Sequence, residues 1–224
     1  MTGAVLFDLD GVLVDSRVAI GASMNHALVS RGHGPREETL LHRYIGPPLF
    51  EAFAELTGEP VGSPEVAALV NAYRERYAVA SLRDSLINPG IEAALAALGG
   101  DYTLAVATSK PRAFAVPLLD VLGLSRHFVW IAGPELDTTM ETKAETVRGA
   151  LERLGEPPAV MVGDRSHDIE GARANGIPVI AVAWGIGDLD ELAAADALVD
   201  APDELPAVVA RLLTGWSRPL PSGR

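Results

Sequence analysis

The sequence predicts an α/β protein whose core is a doubly wound parallel sheet, with a small α-helical domain inserted after the first strand. From Leu86 onward, short and continuously apolar segments alternate with amphipathic helical patterns, which is typical of buried parallel strands joined by helices. Between about Arg17 and Ser85 only helical patterns occur. We therefore expect a core domain at residues 1–16 and 86–224 and a helical domain at residues 17–85.

The predicted strands of the core are all strongly apolar, and the last is a candidate for a weak edge strand. They are residues 4–7, 102–107, 128–131, 159–162, 178–182 and 197–199. Apolar residues with helical spacing lie between them and stop at Gly123 and Gly155, and glycine is common just past the end of a helix. In the inserted segment, two apolar helical stripes predict a small core of its own. One comprises Val66, Leu69, Val70, Tyr73 and Tyr77, and the other Leu49, Phe50 and Phe53.

The composition excludes several classes of protein. The formal net charge is −12, which disfavours nucleic-acid binding and repels anionic substrates at long range. A phosphate site must therefore be made locally positive by a metal, a lysine and helix N-termini. The chain lacks cysteine, a recognisable signal peptide and any apolar run near the ~20 residues of a membrane span. We expect a cytoplasmic protein that binds neither nucleic acid nor membrane.

The first predicted strand ends in two aspartates separated by one residue and followed by glycine, Asp8-Leu9-Asp10-Gly11. Ligands of open α/β sheets bind at the carboxyl ends of strands. Two carboxylates at that edge repel each other unless a cation or a shared proton relieves them, and oxygen ligands suit Mg²⁺. We interpret Asp8 as a candidate nucleophile and metal ligand and Asp10 as a candidate acid/base. A solvated turn is the alternative for this segment taken alone.

Three further strand ends carry polar residues. After the second strand come Thr108, interpreted as a phosphate ligand, and Ser109, for which N-capping of the next helix is favoured over phosphate binding. Lys143 stands near the start of a helix, where a cation opposes the helix dipole and so suggests a nearby anion, although an ordinary solvated lysine is favoured for this residue taken alone. Asp164 and Asp168 follow the fourth strand, with a spacing that places both on one face of a helical turn.

Asp-x-Asp, Thr, Lys and Asp-x-x-x-Asp at four sequential strand ends resemble the haloacid dehalogenase-like superfamily of hydrolases, and its phosphatase branch with an aspartate nucleophile. The resemblance covers nearly the whole chain. It implies a Rossmann-like core with a helical cap, Mg²⁺ as cofactor and a small-molecule phosphate ester as substrate.

The resemblance also implies a role for each matched residue in the reaction. Asp8 would attack phosphorus to form an aspartyl-phosphate, while Asp10 would protonate the leaving alcohol and then activate water. Lys143 would neutralise the charge on Asp8 and the phosphate. Thr108, with Ser109 and Gly11, would contact the phosphoryl oxygens.

The implied magnesium site draws on residues from two strand ends. Asp164 would complete it together with Asp8 and the backbone carbonyl of Asp10. Asp168 would ligate the ion directly or through water. Oxygen-only ligation of this kind is what Mg²⁺ prefers.

A helical insertion directly after the first motif is similar to the cap of the phosphoglycolate phosphatase and β-phosphoglucomutase group. The segment 43–49, with the later motifs, is similar to bacterial 5'-nucleotidase-like members, and it makes Arg43 and Gly46 possible specificity residues. Many relatives follow the lysine with proline, whereas Ala144 follows Lys143 here. This departure weakens an assignment as a phosphoglycolate phosphatase without affecting the chemistry.

Three alternatives stay open at this point. A phosphomutase would use the same motifs and pass the phosphoryl group of Asp8 to a sugar instead of water. A receiver domain of a signalling protein also places acids, Thr and Lys at parallel strand ends, but its phosphorylated aspartate lies at a later strand. A catalytically inert binding protein is the third, although every motif position is present. A dehalogenase is disfavoured, because it would leave Asp10 and the metal-binding acids without a role.

Overall fold

The computed structural model describes residues 3–136 and 142–214. The chain divides into two compact units, one formed by Met1–Val14 and Ile87–Arg224 and the other by Asp15–Leu86. In chain order the elements are β1 (Ala4–Phe7), β2 (Val14–Asp15), α1 (Arg17–Ser30), α2 (Glu38–Leu41), α3 (Leu49–Thr57), α4 (Pro64–Asp84), β3 (Leu86–Ile87), α5 (Ile91–Gly99), β4 (Thr103–Ala107), α6 (Arg112–Val121), β5 (Trp130–Ala132), α7 (Lys143–Arg153), β6 (Ala159–Gly163), α8 (Ser166–Ala174), β7 (Val179–Val182), α9 (Leu189–Leu192), β8 (Ala197–Val199) and α10 (Leu205–Thr214).

The first unit contains a parallel sheet whose strand order, within the described residues, is β5-β4-β1-β6-β7-β8. β1 pairs with β4 on one side and β6 on the other, with Phe7 level with Val106 and Val162 at the carboxyl ends. All four residues of β1 are fully buried, as expected for the central strand of a sheet covered on both faces. The chain builds outward from β1 in both directions, so the ends of β1, β4 and β6 meet at the switch point where such sheets bind ligands.

Helices cover the sheet because alternate side chains of each strand point to opposite faces. On one face, Ala4 and Leu6 of β1 share an apolar cluster with Val147 of α7 and Ile169 of α8. α5 contacts β4, α10 contacts β6, and the two helices contact each other. No residue of α5 or α10 belongs to the apolar cluster named above. These observations confirm the predicted fold class.

The second unit is helical over most of its length, as its sequence pattern predicts. All five residues of the stripe from Val66 to Tyr77 are buried in α4, and Tyr73 stacks on Tyr77 with ring centroids 5.2 Å apart. Phe53 of α3 is fully buried, whereas Leu49 and Phe50 are half-buried. Both stripes therefore serve packing.

Two details differ from the sequence prediction. The segments at which the chain passes between the units, β2 and β3, form a two-stranded sheet that the sequence pattern does not indicate, because two residues are too few to display a period. The strand predicted at residues 128–131 begins later, at Trp130. Among the described residues, no helix is long and apolar enough to cross a membrane.

Candidate active site

The site lies at the carboxyl edge of the sheet, where β1, β4 and β6 end side by side. The backbone N–H of Asp8 donates to the carbonyl of Val162 at 2.9 Å and so extends the pairing of β1 with β6 by one residue. Asp164 follows the last residue of β6, and Thr108 follows the last residue of β4. The fold therefore places the carboxylates of Asp8 and Asp164 on neighbouring strand ends.

Lys143 connects the acids of the two strand ends. Its Nζ lies 2.7 Å from Oδ1 of Asp8, 2.8 Å from Oδ1 of Asp168 and 3.0 Å from the carbonyl oxygen of Ala107. Burial by itself lowers the pKa of Lys143, but the carboxylates of Asp168 and Asp8 outweigh it and hold that pKa above its ordinary value. Lys143 therefore lies protonated between Asp8 and Asp168, which are the nearby anions that its position at a helix start suggested.

Local sequence explains how a buried lysine reaches this position. Thr142 and Glu145 form a capping box at the start of α7, which fixes Lys143 as the first residue of that helix. Gly171 of α8 gives its side chain room to pass, because a carbon on Gly171 would lie 2.6 Å from Cγ of Lys143. A larger residue at 171 would push the lysine away from Asp8.

Three buried carboxylates form a group that could hold a metal ion. Oxygen atoms of Asp8, Asp164 and Asp168 all lie within 4.8 Å of one another. Oδ2 of Asp164 accepts a 2.7 Å hydrogen bond from the N–H of Ile186, whereas its Oδ1 is buried without a hydrogen-bond partner among the described residues. Oδ2 of Asp168 accepts from the N–H groups of Asp164 and Arg165, at 3.0 and 3.1 Å. One oxygen of Asp164 is therefore available for a cation.

The electrostatics of this group fit a divalent cation. Burial raises the pKa of Asp164 well above its ordinary value, and the neighbouring carboxylates of Asp168 and Asp8 raise it further. Burial also raises the pKa of Asp168, against the opposing effect of Lys143. When all are ionised, four carboxylates face two ammonium groups and two negative charges stay uncompensated; the residues are Asp8, Asp10, Asp164, Asp168, Lys110 and Lys143. An oxygen donor set with two excess negative charges matches Mg²⁺.

The carboxylate of Asp10 lies outside this group of three and has a lysine of its own. Nζ of Lys110 lies 2.6 Å from Oδ1 of Asp10, and the Lys110 side chain is only 5% exposed. The sequence interpretation assigned no role to Lys110, although its position two residues after Thr108 at a strand end is the signal that could have found it. The two aspartates of the first motif are thus held by different lysines.

The turn after Asp10 packs directly against Asp164. Gly11 has φ +85°, and a side-chain carbon there would lie 2.0 Å from Oδ2 of Asp164, so that only glycine fits. The side-chain amide of Asn88 donates to the carbonyls of Gly11 and Val12, both at 2.9 Å, and the indole N–H of Trp184 also donates to Val12. Asn88 and Trp184 therefore stabilise the turn after Asp10. The sequence motifs do not reveal this role, because the partners of both residues are distant in sequence.

The β4–α6 loop corrects one sequence interpretation. Thr108 is 1% exposed, and its hydroxyl oxygen accepts the N–H of Lys110 at 3.2 Å. Ser109 is half-buried and does not cap α6, because that helix has Pro111 at its N-cap. A residue before proline is disfavoured in helical conformation, so the helix begins only after Pro111. The favoured N-cap interpretation of Ser109 is wrong.

The two residues of the inserted segment that the sequence singled out, Arg43 and Gly46, lie in the helical unit. Arg43 is mostly exposed and forms an ion pair with Glu55 at 2.6 Å. Gly46 has φ +106°, a conformation that glycine adopts readily. The loop before Lys143, residues 137–141, lies outside the described residues.

Comparison with known proteins identifies relatives over most of the chain. A family model described as "Haloacid dehalogenase-like hydrolase" matches residues 5–182. A 5'-nucleotidase of Pseudomonas aeruginosa is 41% identical over 193 residues, which is 85% of this chain and 86% of the relative. A plasmid-encoded phosphoglycolate phosphatase of Cupriavidus necator is 38% identical over 215 residues, or 92% of each chain.

Solved structures show the same architecture. The crystal structure of a predicted phosphatase from Clostridium acetobutylicum superposes with a TM-score of 0.87 at 33% identity. The match covers 95% of this chain and all of that one. The likeness therefore includes both compact units.

Proposed function

Because the chain belongs to the haloacid dehalogenase-like hydrolases, we propose that it is a Mg²⁺-dependent phosphatase that hydrolyses a small phosphate ester through an aspartyl-phosphate on Asp8. The observation that carries this proposal is the surroundings of Asp8. Its carboxylate pairs with the ammonium of Lys143 at 2.7 Å and belongs to the group of three acids. Asp8 is also the most exposed of the three, at 8% against 0% for Asp164 and 1% for Asp168. It is the acid that an entering substrate reaches.

In the first half-reaction, a carboxylate oxygen of Asp8 forms a bond to phosphorus as the bond between phosphorus and the ester oxygen breaks. The leaving alkoxide takes a proton from Asp10 and departs as an alcohol. Lys143 stabilises the negative charge that the phosphoryl oxygens carry in the transition state, which is the main requirement of phosphoryl transfer. The Asp10 carboxylate lies outside the group of three acids, which supports giving Asp10 the acid/base role and Asp8 the nucleophilic one.

In the second half-reaction, Asp10 takes a proton from a water molecule as the water oxygen attacks phosphorus. The bond between Asp8 and phosphorus breaks, inorganic phosphate leaves and the carboxylate is restored. Dividing hydrolysis into two displacements replaces one difficult step by two easier ones. The same group thus acts first as an acid and then as a base.

The cation would be held by Asp8, Asp164 and the backbone carbonyl of Asp10, with Asp168 directly or through water. When bound, Mg²⁺ supplies charge neutralisation that lets an anionic phosphate approach an anionic carboxylate. Thr108, Ser109 and Gly11 would contact the phosphoryl oxygens. Since the protein carries a net charge of −12, the positive charges of the cation and of Lys143 are needed for a phosphate to bind at all.

The substrate class we propose is phosphoglycolate or a nucleoside 5'-monophosphate, since relatives bear both names. The helical unit would act as a cap that closes over the substrate, excludes bulk water and contributes specificity through Arg43 and Gly46. A phosphomutase is the second candidate within this chemistry. It would convert a hexose 1-phosphate without releasing phosphate.

The test is phosphate release in the presence of Mg²⁺ from phosphoglycolate, purine and pyrimidine 5'-monophosphates, hexose phosphates and flavin mononucleotide. We expect turnover on one class, its loss in EDTA, and a loss of at least about 10³-fold in Asp8→Asn, because the nucleophile is then absent. Circular dichroism of Asp8→Asn is the folding control. Equal activity of wild type and variant would exclude the mechanism, and isomerisation of hexose 1-phosphate without phosphate release would favour the mutase.

A further inference from the structure

Glu191 of α9 reaches across the sheet edge to the first residues of α8, the helix that carries Asp168. Its Oε1 accepts from the N–H and the hydroxyl of Ser166, at 2.8 and 2.9 Å, and from Nε of Arg165 at 3.0 Å. Arg165 stands at the N-cap of α8, and its side chain has no acceptor that could satisfy the first N–H groups of the helix. Glu191 supplies that acceptor from another element, and its negative charge is favourable at a helix N-terminus.

The loop that leads to Glu191 is in direct contact with Asp164. The N–H of Ile186 donates to Oδ2 of Asp164 at 2.7 Å. A side-chain carbon at Gly185 would lie 2.2 Å from Cβ of Asp164, and one at Gly187 would lie 2.0 Å from its backbone oxygen. Only glycines allow the loop to approach so closely, and the N–H of Ile186 decides which oxygen of Asp164 stays available for a cation.

Two residues, Ile186 and Glu191, therefore connect the segment 185–191 with the turn between β6 and α8. Ile186 holds the side chain of Asp164, and Glu191 holds the turn itself through Ser166 and Arg165. The Glu191 and Arg165 side chains are 22% and 16% exposed, so water competes weakly for these bonds. If the Glu191 contact is lost, the loop and the turn can separate, and the Asp164 carboxylate loses its fixed orientation relative to Asp168.

We propose that Glu191 is a positioning residue for the metal-binding acids: it fastens the loop 185–187 to the start of α8 and so presents the free oxygen of Asp164 to the cation. The inference rests on the proposed function, since it assumes that Asp164 binds Mg²⁺. Residues that orient the ligands of a metal contribute about 10- to 100-fold to its affinity. We expect Glu191→Ala to weaken Mg²⁺ binding by that factor.

The experiment is isothermal titration calorimetry of the full chain with Mg²⁺ alone, which measures affinity independently of turnover. Glu191→Gln keeps an oxygen for the N–H of Ser166 but loses the charge that pairs with Arg165, so its affinity should lie between wild type and Glu191→Ala. The matched control is Glu204→Ala, because Glu204 also accepts two backbone N–H groups, those of Asp200 and Ala201, at another helix start. The control should bind Mg²⁺ like wild type.

A second readout separates positioning from loss of stability. Activity of Glu191→Ala should recover toward the wild-type kcat as Mg²⁺ is raised, whereas a damaged fold would not recover. Equal Mg²⁺ affinity of wild type, Glu191→Ala and Glu204→Ala would overturn the inference, as would a wild type that binds no Mg²⁺. If Glu191→Ala does not fold, wild-type affinity in Glu191→Gln overturns it equally. A wild type that binds Mg²⁺ more tightly than Glu191→Ala yet releases no phosphate would leave the inference intact and defeat only the proposed function.

Discussion

Two pairs of aspartates stand at neighbouring strand ends of one sheet, and the protein holds them in different ways. Asp8 and Asp10, after β1, each pair with a lysine ammonium, Lys143 at 2.7 Å and Lys110 at 2.6 Å. In the pair after β6, Asp164 and Asp168 each have one oxygen fixed by backbone N–H groups. Side-chain exposure follows the same division, at 12% and 14% for the first pair and 1% for Asp168.

The difference indicates a division of labour between chemically identical side chains. Backbone N–H groups are held rigidly by the fold, so they fix a carboxylate in one orientation, as a metal site needs. A lysine ammonium instead places a positive charge beside the carboxylate, where it offsets the negative charge that develops during phosphoryl transfer. We therefore assign chemistry to the β1 pair and metal positioning to the β6 pair. Lys143, which contacts both Asp8 and Asp168, couples the two.

The largest effect that we expect is on the kcat of a variant at Asp10, and it tests whether the two aspartate pairs have different roles. Asp10→Asn removes the proton donor and acceptor, and general acid–base catalysis contributes about 10²–10⁴-fold, so kcat should fall by that factor. Mg²⁺ affinity should stay unchanged, because the Asp10 carboxylate lies outside the group of three acids. Steady-state kinetics and calorimetric Mg²⁺ titration measure the two quantities. A variant that loses Mg²⁺ binding instead would place Asp10 with the metal-binding pair.

A smaller effect is expected at Lys110, which sharpens the assignment of the β1 pair. Lys110→Met leaves the Asp10 carboxylate without its 2.6 Å partner, and misplacement of a reacting group by about 1 Å can cost about 10²-fold in rate. Lys110→Arg should restore part of the loss. The melting temperature of each variant checks that the fold persists.

The double variant shows whether Lys110 acts through Asp10. In an Asp10→Asn background the further effect of Lys110→Met on kcat should be small, because residues that act as a unit are not additive. If the losses in kcat of the two single variants multiply in the double variant, Lys110 contributes to the reaction independently of Asp10.

The smallest effect concerns stability and tests the β6 pair. The pKa of Asp164 is raised by burial above its ordinary 3.8, so between 3.8 and the raised value the folded protein binds more protons than the unfolded chain. In EDTA, the contribution of Asp164 to the free energy of unfolding should therefore fall as pH rises through this window. Urea denaturation at a series of pH values measures the slope, which Asp164→Asn should reduce. An unchanged slope in the variant would show that Asp164 is not the titrating group.

Much of the site could be predicted because its motifs follow apolar strands directly. Asp8, Thr108 and Asp164 each come one residue after a strand, and parallel strand ends meet at one edge. Lys110 escaped assignment because a lysine in a loop is ordinarily solvated, and nothing local indicates that its partner lies 100 residues away. Glu191 is similar, since its contacts with Ser166 and Arg165 form only when β7 and α9 fold back onto α8. The N-cap prediction for Ser109 was wrong because α6 begins only after Pro111, and capping preferences alone do not take the proline into account.

The central claim is that Asp8 itself becomes phosphorylated. The most direct measurement is rapid acid quenching of the enzyme during turnover of a ³²P-labelled substrate, followed by peptide mapping. We predict label on the peptide that contains Asp8 in the wild type, and none in Asp8→Asn. Label on another residue, or turnover in Asp8→Asn at the wild-type rate, would contradict the account.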